Sequence, residues 1–152
     1  MKQEIKQAFN EQGYSFLLPI QEKAIPQILS RKNLFIQAAT GSGKTLAYLL
    51  PALEIADSAS NDTQILIITP TRELALQVSE VAKNTANYSK HHIVTVIGGL
   101  DIHKQENALR HRPTIIIGTP GRLMDLYSPP KTDLPHSLPS APPHPHIAPS
   151  PP

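Results

Sequence analysis

Residues 38 to 45 read AATGSGKT, and each residue type in that run suits one task in holding a phosphate. Glycines at 41 and 43 let the backbone curl so that successive N–H groups point inward, at the positive end of the helix that follows. Lys44 would reach the β and γ oxygens of a nucleoside triphosphate, and the Thr45 hydroxyl would hold its magnesium ion. The strict pattern has glycine six residues before Lys44; Ala38, with the next smallest side chain, stands there. A glycine-rich turn that happens to contain lysine is the plain alternative, and the strand-loop-helix setting weighs against it.

Three later motifs bring an arginine, paired glycines and helix starts to strand ends: PTRELA (Pro70 to Ala75), Gly98 with Gly99, and TPGR (Thr119 to Arg122). Such groups bind sugar and phosphate without reading bases. Taken singly each has an ordinary reading, as a helix cap, a turn or a solvated first turn. The histidines are read as structural or exposed. His91 and His92 are adjacent and face opposite sides of a strand, while His103 and His111 have no carboxylate at ligand spacing, so no transition-metal site is expected.

Positioning these groups falls to short apolar runs. Ile65 to Ile68, Ile93 to Ile97 and Ile115 to Ile117 are continuous and mostly β-branched, as strands buried on both faces require, and Leu34 to Ile36 reads as a shorter fourth. Between them, Leu46, Leu49, Leu50, Leu53 and Ala56, then Leu74, Val78 and Val81, recur at helical spacing. Strand and helix alternate with short connections, which predicts a parallel sheet flanked by helices. Thr71 and Thr119 stand as N-caps, the latter with Pro120 at the first helical position.

Composition bounds the rest. Within 152 residues there is room for one ordinary domain, and ten of the 16 prolines lie between Pro129 and Pro152. The chain therefore reads as a globular body, 1–127, and a disordered Pro/Ser/His-rich tail, 128–152. A net charge of +2 with interspersed signs does not announce a nucleic-acid partner. The absence of cysteine excludes disulfides and thiolate chemistry and fits a reducing, cytoplasmic setting. Neither a secretion signal nor a membrane span is read from the sequence.

In this order and at these separations, AATGSGKT, PTRELA, the glycine pair and TPGR resemble the first RecA-like domain of a DEAD-box RNA helicase. GYSFLLPIQ, Gly13 to Gln21, is similar to that family's adenine-recognising Q motif, with Leu17 and Leu18 where the family has Pro-Thr and no aromatic residue before Phe9. The resemblance covers roughly Ile5 to Tyr127. It implies ATP bound with magnesium by Ala39, Thr40, Gly41, Ser42, Gly43, Lys44 and Thr45. Gln21 would read adenine through the paired donor and acceptor of its amide; a glutamine that caps the following helix is the alternative. It further implies contact with the backbone of single-stranded or duplex RNA through Pro70, Thr71, Arg72, Gly98, Gly99, Thr119, Pro120, Gly121 and Arg122.

The same resemblance sets an expectation about activity. No Asp-Glu-Ala-Asp tetrapeptide occurs in the 152 residues, nor the Ser-Ala-Thr motif, nor a second domain with its arginine finger, which alone contributes about 10³ to 10⁵ in rate. After Tyr127 the proline run reads as an early stop or a frameshift. The chain is expected to carry the ATP- and RNA-binding part of a helicase with negligible hydrolysis of its own, or to serve as a non-hydrolysing binding module. The family's Asp-Glu-Ala-Asp strand would lie near the phosphate-loop strand, so an uncovered sheet edge and partial folding are also expected. A polyproline ligand role for the tail, through the PxxP spacing of Pro139 and Pro142, is the remaining alternative.

Overall fold

The computed structural model describes residues 1–127. Helices α1 (Gln3–Glu11), α2 (Pro19–Leu29) and α3 (Lys44–Ile55) precede β1 (Ile65–Ile68), α4 (Arg72–Thr85), β2 (Ile93–Val96), α5 (Ile102–Arg110), β3 (Ile115–Gly118) and α6 (Pro120–Tyr127). The three strands form one parallel sheet in the order β1-β3-β2, with Ile115 paired to both Ile65 and Ile93 and Gly118 to both Ile68 and Val96. The tail expected at 128–152 lies outside the described residues.

Because side chains alternate along a strand, β3 feeds both faces of the sheet. Ile115 and Ile117 pack with Leu46, Leu49, Leu50 and Leu53 of α3, Val78 and Ala82 of α4, and Ile5 and Phe9 of α1. On the other face Ile116 joins Val94, Val96, Leu109 and Leu126. At about 1.5–3 kcal/mol for each large apolar side chain fully buried, these two clusters hold the sheet between its helices.

Burial on both faces, read for all three strands, holds only for β3, in which every residue is buried. Strands β1 and β2 are the sheet's two edges; β1 is half-buried until Ile68, which is 58% exposed, and β2 alternates buried with half-buried residues. The fourth strand expected at Leu34 to Ile36 does not form. That segment has no ladder partner among the described residues, and Phe35 is 90% exposed. A strand is defined by its neighbour's hydrogen bonds, and between Ile36 and β1 there is instead a cleft of about 510 Å³.

The first residues close the carboxyl end of α3. Lys2 Nζ donates to the carbonyls of Ala56 at 2.6 Å and Leu53 at 3.3 Å, a cation placed where the helix dipole is negative. His91 packs nearby, buried, while its neighbour His92 is exposed, as strand alternation requires. Burial, assisted by the charge of Lys2, holds the His91 imidazole below the usual histidine range. With a depressed native pKa, the unfolded chain takes up the proton first as pH falls below about 6.5, so stability is lost from there downward. Melting temperatures recorded across mildly acidic pH should fall for the unaltered chain and fall less steeply for His91→Leu.

Candidate phosphate site and nucleic-acid face

The phosphate loop is shaped by two left-handed glycines. Gly41 has φ 80° and Gly43, the residue before α3, has φ 85°, a region costly for any side chain. At Gly43 space forbids one as well: a Cβ there would lie 2.5 Å from Gln21 Nε2 and 2.7 Å from Leu18 Cδ1. Lys44 Nζ spans the loop and donates to the carbonyls of Ala38 and Ala39, each at 2.6 Å. The Ser42 hydroxyl is buried and has no hydrogen-bond partner. With the first N–H groups of α3 also without intrahelical acceptors, the loop offers amides, an ammonium and a free hydroxyl to one anion. Those residues fit a triphosphate.

Lys44 and Thr45 line the same cleft as Thr69 and Pro70 at the end of β1. The Thr45 hydroxyl hydrogen-bonds the Tyr48 phenol, whose pKa is pushed up by burial against that smaller lowering contact. Ala39 and Thr40 of the loop are exposed.

Gln21 is placed differently from a free base reader. It is 2% exposed; its Oε1 accepts from the Leu18 N–H at 2.9 Å and its Nε2 donates to the Gly43 carbonyl at 3.1 Å. One amide thus caps α2 and ties it to the phosphate loop, which is the structural role weighed for it in the sequence.

The other motif residues converge at the carboxyl ends of the three parallel strands. Thr71 accepts from the Leu74 N–H at 3.2 Å and caps α4, which aims Arg72 across the sheet end. The Arg72 guanidinium lies so close over the glycine pair that a Cβ on Gly99 (φ 81°) would be 2.6 Å from Nη1, and one on Gly98 would be 3.0 Å from Nη2. From the other side Arg122 Nη1 donates to the Leu100 carbonyl at 3.0 Å, with Asp125 3.8 Å from its Nε. The loop of Gly98, Gly99 and Leu100 is held between two arginines. Thr119 leads into α6 through its N–H to the Val96 carbonyl at 3.1 Å, and Pro70, Pro120 and Gly121 are exposed beside it.

Sequence reasoning missed Gln105. Buried on α5, it pairs with both backbone groups of Ile97, accepting from the N–H and donating to the carbonyl, each at 3.0 Å. It fixes the residue that immediately precedes the glycine pair. No spacing rule marks a lone glutamine in a helix, so nothing in the sequence could have singled it out. Gln105→Ala leaves two buried backbone groups unpaired, at about 1–3 kcal/mol each. A denaturant titration should show that loss, and amide exchange at Ile97, Gly98 and Gly99 should quicken.

Among the described residues no group of three or more His, Cys, Asp or Glu side chains converges as metal ligands. His103 does have a carboxylate beside it, against the sequence reading: Glu106, three residues on and so on the same helix face, lies 3.1 Å from its Nδ1.

Known proteins can now be set beside this geometry. Residues 18–137 match the family described as DEAD/DEAH box helicase. The chain is similar to the ATP-dependent RNA helicase CshA of Listeria monocytogenes serovar 1/2a, 46% identical over 126 residues, which is 82% of this chain and 24% of that protein. Among solved structures it resembles a DEAD box protein from the hyperthermophile Methanococcus jannaschii (TM-score 0.77, 35% identity, 82% of this chain and 34% of that one). It also resembles Mss116p bound to ssRNA and AMP-PNP (TM-score 0.72, 33% identity, 82% and 27%). The chain thus spans about a quarter of the length of the curated relative and a quarter to a third of the solved chains.

Proposed function

Because this chain belongs to the DEAD/DEAH box helicase family, we propose that its body, residues 1–127, is the ATP- and RNA-binding part of the first RecA-like domain of an ATP-dependent RNA helicase. The observation that carries the reading is the phosphate loop at the start of α3, opening on the same cleft as Pro70. Lys44 would exchange the Ala38 and Ala39 carbonyls for phosphate oxygens, and loop amides with the Ser42 hydroxyl would complete the cradle. Bound magnesium would neutralise charge on the phosphates, and the Thr45 hydroxyl is the group that would hold it. Arg72, Gly98, Gly99 and the Thr119 to Arg122 turn would grip the backbone of RNA, the exposed sheet end supplying cations and open N–H groups. Support comes from the ssRNA and AMP-PNP held by the Mss116p structure, to which this chain is similar.

In this proposal the chain's own work is binding. The 152 residues contain no Asp-Glu-Ala-Asp carboxylates to position magnesium and water, so ATP turnover by the chain alone should stay at the uncatalysed level. The cytoplasmic setting belongs to the proposal too, as the compartment that supplies ATP and RNA to a cysteine-free chain. What is established is narrower: among the described residues no helix is long and apolar enough to cross a membrane.

Adenine selectivity through Gln21 is tested by titrating ATP against GTP. The unaltered chain should prefer ATP, and Gln21→Ala should lose the preference and also melt lower. Removing the amide strands the Leu18 N–H and the Gly43 carbonyl at about 1–3 kcal/mol. Gln21→Glu keeps the cap on Leu18 but not the donor, and separates the two effects. Equal ATP and GTP affinities in the unaltered chain would remove base reading from the proposal while leaving phosphate binding intact.

A further inference from the structure

Thr45 is the second residue of α3, and Tyr48 follows it three residues later. Residues so spaced are neighbours on one helix face, and helical side chains lean toward the helix start, which brings the Tyr48 phenol over Thr45. Their hydroxyls hydrogen-bond on the wall of the cleft that both line with Lys44. Tyr48 has little freedom to withdraw, because it packs against the apolar cluster in which Leu49 and Leu50 are buried. Thr45 is the looser partner. A helical threonine divides between two χ1 rotamers, in one of which its hydroxyl turns back to the carbonyl three or four residues earlier, in this chain Ser42 or Gly41. The bond to Tyr48 is a competing hold on that hydroxyl.

What a cation takes from a hydroxyl is a lone pair, so the proton has to turn to another acceptor. Among the described residues that line the cleft, Lys44 is a donor with no acceptor capacity, and the Thr69 hydroxyl is turned to the Thr71 carbonyl at 3.1 Å. Apart from Thr45 and Tyr48 the other side chains on its walls are apolar. Between two hydroxyls either can donate, but a cation on the Thr45 oxygen leaves one order, with Thr45 donating and Tyr48 accepting. We propose that Tyr48 is a positioning residue of the magnesium site, its phenol oxygen taking the Thr45 hydroxyl proton and so turning the Thr45 lone pairs toward the cation of Mg-ATP. This inference rests on the reading of the cleft as the Mg-ATP site and adds to it a residue outside the phosphate loop. Groups that orient a metal ligand typically contribute about 10–100-fold in metal affinity, and a pair of neutral hydroxyls belongs at the low end.

Calorimetric titration of the 152-residue chain with ATP, once in magnesium and once in EDTA, reads the result as a ratio of two affinities. The unaltered chain should bind more tightly in magnesium. Tyr48→Phe removes the phenol oxygen and keeps the ring against the core, and it should lower the ratio about tenfold. Thr45→Ala should lower it at least as far, and adding Tyr48→Phe to Thr45→Ala should change it no further, because both substitutions act through one oxygen. A ratio that Tyr48→Phe leaves unchanged, with ATP still bound, overturns the proposal while the nucleotide site stands. An affinity that falls equally in magnesium and in EDTA also overturns it, since a distorted phosphate loop would produce that result, and so does a further fall of the ratio in the double variant. An unaltered chain that binds no ATP in either medium overturns the reading of the cleft itself, and this inference with it.

Discussion

Gly118→Ala should destabilise the chain more than any other single methyl addition at its glycines. Gly118 ends the central strand, in register with Val96 on one side and Ile68 on the other. A Cβ there would stand 2.4 Å from the Val96 carbonyl oxygen, 3.1 Å from Val96 Cβ and 3.2 Å from Leu123 Cγ. The nearest obstacle is backbone, so no rotamer change relieves it; β2 must move away from β3. That movement breaks the bond from the Thr119 N–H to the same Val96 carbonyl, the contact that starts α6 and sets Arg122. Overpacking of a core typically costs about 1–3 kcal/mol, and the rigid obstacle puts this case at the upper end. Against a total stability of about 5–15 kcal/mol, the melt should move down by many degrees and RNA affinity should fall with it. By contrast Gly121, which has open space around its missing side chain, should accept alanine with little change in the melt.

Lys44→Ala should leave the fold in place and remove its response to nucleotide. The lysine lies outside both apolar clusters and its two bonds are to loop carbonyls, so the apolar core is untouched. What disappears is the one ammonium placed to meet phosphate oxygens from inside the loop. A hydrogen bond to a charged group contributes about 1.5–3 kcal/mol, and each 1.4 kcal/mol is about tenfold in affinity. Titration with Mg-ATP should therefore show affinity weakened by one to two orders of magnitude, while the melt without nucleotide stays close to that of the unaltered chain. Retained affinity in Lys44→Ala would place the nucleotide elsewhere.

The parts of this structure that were legible in the sequence are those set by local pattern. The runs at Ile65, Ile93 and Ile115 became the parallel strands, and Thr71 caps α4 as its residue type predicts. The order of the motifs, not any one of them, anticipated the convergence of Arg72, the glycine pair and Arg122, because parallel strands bring their carboxyl ends to one side. What failed was long-range. Leu34 to Ile36 has the composition of a strand, yet pairing is a property of two segments, and the space beside it holds none among the described residues. Burial on both faces was overestimated for β1 and β2 because an apolar run does not say whether it will be central or an edge. Gln105 and the double duty of Gln21 were out of reach, since the carbonyls they serve are found only after the chain has folded.

The central claim is that this chain folds into a module that binds Mg-ATP at the start of α3, and thermal unfolding of the unaltered chain with and without Mg-ATP tests it most directly. A ligand bound only by the native state at about 100 times its dissociation constant adds about 2.7 kcal/mol, so a cooperative transition that rises with Mg-ATP is the predicted result. A transition that Mg-ATP leaves unmoved, or no cooperative transition at all, would contradict it.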